Sequence, residues 1–266
     1  MSEHMPPVHP FRGLVALGTV VLGTVARRLG WQQAAEFANR PVMALSDQQP
    51  VTADWWRARR KTPGDVFIIA LGDSTAQGIG ASRPGYSYVG QVVDRMEAYT
   101  AAPVHVTNLA VSGATTTLCA RDQLPRLVNP LTKDPEVVTV AIGANDIAQW
   151  DPVVFHRNLS EILDAVPDHA LVAELPCFFT PRAQRRVRTA NRILHTLAAA
   201  RGLTVVPLHA ATRARGIRGI LTEFAVDGFH PTDSGYTVWA DTFWPYVRAR
   251  IDATTRARSS AEEHAG

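Results

Sequence analysis

The chain has 266 residues, of which 46% are hydrophobic and 19% charged, with two cysteines and a net charge of +3. That balance excludes a disordered chain, a collagen-like fibre and a disulfide scaffold, and the length suits one α/β-sized domain with an appendage. The charge is unevenly placed: residues 1–61 hold eight Arg/Lys against four Asp/Glu, and the remaining 205 hold nineteen against twenty. A nucleic-acid-binding domain would carry its surplus on the body of the chain, so the distribution argues against a nucleic-acid partner.

The first element is the uncharged stretch 13–26, bounded by Arg12 and Arg27. As a helix it would reach only about 21 Å, against a hydrocarbon core of roughly 30 Å, and it lacks the charge order and cleavage site of a secretory signal. Leu14, Leu17, Val21, Val25 and Leu29 fall at helical spacing, followed by Trp31, Phe37, Trp55, Trp56 and the basic cluster Arg57, Arg59, Arg60 and Lys61. Aromatics and arginines beside an apolar helix suit a membrane interface, so membrane or cell-envelope association through residues 13–31 is the expectation. The alternative is a helix packed on its own domain or on a second subunit.

Lys61-Thr62-Pro63-Gly64 breaks the chain and sets a boundary. The division expected is an N-terminal extension (1–61), a catalytic domain (62–252) and a polar tail (253–266). Apolar runs follow at 66–71, 104–109, 137–142, 171–175 and 203–208, mostly Val, Ile and Leu without clean alternation, as in strands buried on both faces. Between them lie helix-period segments such as Val89, Val92, Val93, Met96, and Phe155, Leu159, Ile162, Leu163, Val166. This alternation predicts an α/β fold with a five-stranded parallel sheet, in which ligands bind at the carboxyl ends of the strands.

Polar residues cluster at those ends. Gly72-Asp73-Ser74 follows the first run, Asn108 to Gly113 the second and Gly143-Ala144-Asn145-Asp146 the third, with Asp227-Gly228-Phe229-His230-Pro231 near the C-terminus. The first block is neither a G-x-S-x-G elbow nor a glycine-rich phosphate loop, because the spacings differ. Taken singly, Asn145 reads as a turn or cap residue and His230 as a surface histidine; in this order, at strand ends, they read as one site.

The ordered set closely resembles the SGNH hydrolases, also called the GDSL esterase/lipase family, over roughly residues 65–250. The resemblance implies a flavodoxin-like three-layer sandwich. It also implies a nucleophile at Ser74, a base at His230 and an orienting acid at Asp227. The oxyanion donors it implies are the amides of Ser74 and Gly113 and the side chain of Asn145. Such a set hydrolyses carboxylic esters or thioesters through an acyl-enzyme, without cofactor or metal. The acyl group could instead pass to a sugar or lipid hydroxyl, or the chain could be an idle scaffold. Asp73 is expected to be a structural hydrogen-bonding partner, not the acid of the triad.

Between residues 175 and 222 there are nine arginines and no Asp or Glu. The segment is either a solvated helix face or a positive rim attracting anionic lipid, acidic glycan or phosphate groups. Phe178, Phe179 and Arg182, just after the fourth strand, are the candidate substrate contacts. Small-molecule or lipid esters are the expected partners. Cys119 and Cys177 are expected as free, buried thiols.

Overall fold

The computed structural model of the chain describes residues 31–127, 134–225 and 227–265. Nearly all of the apolar segment 13–31 lies outside them. The sheet contains β1 (Val66–Gly72), β2 (Val104–Asn108), β3 (Val137–Ala141), β4 (Leu171–Ala173) and β5 (Thr204–Val206) in the order β2-β1-β3-β4-β5, every pair parallel. The chain crosses the sheet between β1 and β3, which opens a crevice at their carboxyl ends.

Continuous apolar runs serve two cores because alternate residues point to opposite faces. Ile68, Ala70, Val106 and Val137 face one layer. It is built from α1 (Trp31–Arg59), α3 (Tyr88–Thr100), α8 (Leu208–Ala214) and α10 (Asp233–Ala265). Phe67, Ile69, Leu71, Val138 and Val140 face the other. That layer holds α4 (Thr116–Asp122), α5 (Leu124–Leu127), α6 (Pro152–Ala165) and α7 (Pro181–Ala200). Two short helices, α2 (Ser74–Gln77) and α9 (Gly216–Thr222), lie among the connections. Fully burying a side chain such as Phe155 or Leu159 contributes about 1.5–3 kcal/mol.

β4 and β5 each end two residues inside the expected runs, in both cases for a local reason. Beyond β4, the Asn191 side chain takes over the Leu175 backbone, accepting from its amide at 2.8 Å and donating to its carbonyl at 3.1 Å. Beyond β5, Pro207 supplies no amide and serves as the N-cap of α8.

Two segments differ from their polar or interfacial appearance in sequence. Trp56 is buried in the core, and Trp55 packs partly buried against the same cluster. Thus α1 packs on the domain, and these two tryptophans are not free for a bilayer. Where a polar tail is expected, α10 continues to Ala265; Arg258, within that stretch, pairs with the buried Glu136 carboxylate, and Arg250, earlier in the helix, donates to the Glu136 carbonyl. No described helix is long and apolar enough to cross a membrane. Cys119 and Cys177 are buried free thiols.

Candidate active site

The site begins where β1 stops. The buried Gln123 side chain brackets Gly72, donating to its carbonyl at 2.7 Å and accepting from its amide at 3.0 Å. The chain then turns into α2, whose N-cap is Asp73; its carboxylate accepts from the Thr75 amide and hydroxyl at 2.9 and 2.7 Å. Ser74 is therefore the first helical residue, its hydroxyl at the crevice. Asp73 thus acts as a cap and hydrogen-bonding partner, in agreement with its reading in sequence.

His230 reaches Ser74 across 156 positions of sequence: its Nε2 lies 2.9 Å from Ser74 Oγ. On the other side of the ring, Nδ1 lies 2.5 Å from Asp227 Oδ2. The remaining Asp227 oxygen accepts from the amides of Phe229 and His230, both at 3.0 Å, so one turn builds the pair. With Nδ1–H donating to the carboxylate, the Nε2 lone pair faces the serine proton. Burial alone would push the Asp227 carboxyl up, but the His230 hydrogen bond and charge, with the two amides, hold it below its usual value. It is the charged form that this turn is built to keep.

Gly80 explains how the histidine turn sits so close. With φ of +96°, it packs where an added Cβ would lie 2.5 Å from the Pro231 carbonyl oxygen and 2.9 Å from His230 Cβ. Further ties come from Asp233, which accepts from the Ser82 amide and hydroxyl at 2.7 and 2.6 Å.

Gly113 and Asn145 approach from the neighbouring strand ends. Gly113 has φ of +78° with open space around it, so backbone conformation, not crowding within the protein, demands glycine there. Among the described residues no group accepts a hydrogen bond from the amides of Ser74 or Gly113. Asn145 opens a short 3-10 turn after β3 and donates to the Ala114 carbonyl at 3.0 Å, with a longer 3.4 Å contact to Asp73 Oδ2. Beside it, Asp146 accepts from the Thr116 hydroxyl and amide at 2.6 and 3.0 Å. Burial raises the carboxyls of both Asp73 and Asp146, opposed in each case by hydrogen bonds from a threonine.

Several supporting residues escape sequence reasoning. Gln77 spans from α2 to the Gly113 loop, donating to the Ala110 carbonyl at 2.7 Å and accepting from the Ser112 hydroxyl at 2.8 Å. The backbone carbonyl of Gln77 accepts from Trp56 Nε1 at 2.9 Å, and Gln48 Oε1 accepts from the Gly80 amide at 3.0 Å. Both donor and acceptor side chains come from α1. Arg186 donates to the carbonyls of Ile147 and Ala148, fixing the Asn145 turn from α7. Of these, only Trp56 stands out in sequence, and as an interfacial aromatic, not as a support for this site.

Of the three expected substrate contacts, Phe178 is half-buried against Phe229, which in turn meets the His230 ring at a centroid distance of 5.0 Å. Phe179 is exposed and meets Phe224 edge-on. Arg182 is exposed in the first turn of α7. The arginines of residues 175–222 do not act as one rim: Arg186 serves the Asn145 turn, Arg201 pairs with Asp164, and Arg215 pairs with Glu223.

A hydroxyl, an imidazole and a carboxylate in series, with free amides nearby, suit proton abstraction from serine and stabilisation of a tetrahedral oxyanion. Comparison with known proteins points the same way. A sequence model described as the GDSL-like Lipase/Acylhydrolase family matches residues 70–238. The GDSL-like esterase Rv1075c of Mycobacterium tuberculosis is 27% identical over 261 residues, covering 88% of this chain and 80% of that protein. The crystal structure of a lipase/acylhydrolase from Enterococcus faecalis superposes with a TM-score of 0.57 at 23% identity, covering 70% of this chain and 96% of the other. Axe2, an acetylxylan esterase from Geobacillus stearothermophilus, gives 0.52 at 21% identity, covering 69% and 94%. At these identities the two solved structures speak for the fold.

Proposed function

This chain belongs to the GDSL-like Lipase/Acylhydrolase family and is a carboxylic ester hydrolase, and from that premise we propose that it works through a Ser74–His230–Asp227 triad. The observation that carries this reading is the unbroken hydrogen-bond series from Ser74 Oγ through the imidazole to the Asp227 carboxylate. His230 takes the serine proton as Oγ attacks the ester carbonyl, and Asp227 stabilises the imidazolium that results. The proton then passes from His230 to the leaving alcohol, and water repeats the sequence to release the acid.

The oxyanion is received by the amides of Ser74 and Gly113, which have no acceptor among the described residues, and by the Asn145 side chain. Asn145 has one of its two N–H groups committed to Ala114, and the long contact to Asp73 leaves the other able to turn to the substrate. Phe178, backed by Phe229 beside the imidazole, offers an apolar edge to the acyl group of a lipid or acylated-glycan ester.

The test is hydrolysis of a short-chain p-nitrophenyl ester by the wild type and by Ser74→Ala. We expect the variant to fall by about 10⁴-fold or more in kcat, with KM little moved. Equal rates for the two proteins would remove Ser74 from the mechanism.

A further inference from the structure

We propose that the groove on the outer face of α7 is a binding site for a phosphate-bearing anion, held by Arg185, Arg188 and Arg192. The groove, of about 570 Å³, is lined by these arginines together with Glu174, His195 and His209. The three arginines stand three and four positions apart, so they share one face of the helix. None forms an ion pair among the described residues.

Three guanidinium groups on one face, without an ion-pair partner among the described residues, repel one another, and the first turn of the helix has no acidic residue to offset them. A bound anion would relieve this repulsion.

The one carboxylate in the lining is already committed. Glu174 Oε1 lies 2.7 Å from His195 Nε2, and its Oε2 accepts from the His209 amide at 3.1 Å. Burial lowers the His209 imidazole, and although Glu174 pulls it up, Arg213 and Arg188 push it further down, so the arginines are the permanent positive charges of the groove. Planar guanidinium groups match the oxygens of a phosphate, which they can bind in pairs. Arg192 donates to the Thr189 hydroxyl at 3.1 Å, a neutral partner that steadies its orientation while leaving its charge unmet.

The groove also borders the candidate active site. His209 Nε2 lies 2.6 Å from Gln184 Nε2, and Gln184 Oε1 accepts from the Phe178 amide at 2.9 Å. An anion in the groove would therefore sit behind the loop whose Phe178 approaches Phe229 and His230. The charge of the groove stands independently of the hydrolytic reading, since none of the three arginines touches Ser74, His230 or Asp227.

The test uses the full chain and the variant R185Q/R188Q/R192Q, whose glutamines keep helix propensity while removing charge. Pyrophosphate binding is measured by titration calorimetry, and headgroup binding by co-sedimentation with vesicles of phosphatidylglycerol in phosphatidylcholine. We expect wild type to bind at least one probe, and the variant to bind it about ten-fold more weakly or worse. Loss of pyrophosphate binding assigns a soluble phosphate ligand, and loss of vesicle binding alone assigns a lipid headgroup. Without added anion, the variant should melt no lower than wild type, because the repulsion is gone. If the triple variant fails to fold, Arg188→Gln is read in its place. Equal binding of both probes by wild type and variant, or no binding of either by wild type, overturns the proposal.

Discussion

Gly80 has no reactive group and lies six positions beyond Ser74, yet the histidine turn is built against it. A Cβ there meets the Pro231 carbonyl and His230 Cβ at distances real side chains do not reach, at a backbone angle that L residues avoid. Gly80→Ala should therefore shift the imidazole away from Ser74 and lower kcat by about 10²-fold, the cost of a misplacement near 1 Å. Steady-state kinetics with the p-nitrophenyl ester checks this; wild-type kcat in the variant would mean that the turn can yield. Asp73 makes a prediction of a different kind. Burial raises its carboxyl in the folded chain, so the native state holds a proton that the unfolded state has released. Its contribution to stability is fully present below the ordinary carboxylate value of about 4, and it is lost as pH rises through the raised folded value. Urea midpoints of wild type and Asp73→Asn, measured from pH 4 to 7, should diverge, with wild type losing ground as pH rises. Parallel profiles would contradict this.

At the scale of elements, α1 holds the backbone just beyond Ser74. Trp56→Phe keeps the apolar body in the core but leaves the buried Gln77 carbonyl without its donor, at a cost of about 1–3 kcal/mol. We expect a matching fall in denaturant midpoint together with a lower kcat, because Gln77 also carries the Gly113 loop. Val51→Ala, on the exposed side of the same helix, should stay within about 0.5 kcal/mol. Unchanged stability in Trp56→Phe would show the hydrogen bond to be dispensable. The strands were legible in sequence because burial on both faces writes them as continuous apolar runs, and the polar blocks were legible because they follow those runs directly. The work of α1 was not. Trp56 and Gln48 act across 21 and 32 positions through single hydrogen bonds, which leave no periodicity, and tryptophans beside arginines suit a membrane interface as readily as a core. Arg186 was hidden for a related reason: nothing in a run of arginines distinguishes the one that bonds a distant backbone from those that face solvent.

Across the whole molecule, the net charge of +3 conceals an uneven surface. Residues 175–222 are strongly basic, but structure divides their arginines between internal ties and the open face of α7. The similarity to the M. tuberculosis esterase spans 88% of the chain, more than residues 62–266 alone can supply, so it reaches into the segment that contains α1. The two solved relatives cover only 69–70%. The curated likeness thus extends to the N-terminal part, whereas the superposed structures speak chiefly for the hydrolase core.

Ser74 and His230 are separated by 156 positions, and the turn bearing the histidine is pinned by the start of the final helix. Contacts of such long sequence separation carry a large loop-closure cost and are slow to form. Under the proposed mechanism Ser74 has no base until the turn bearing His230 has docked. The onset of hydrolysis during refolding should therefore coincide with closure of the contacts around Gly80 and Ser82.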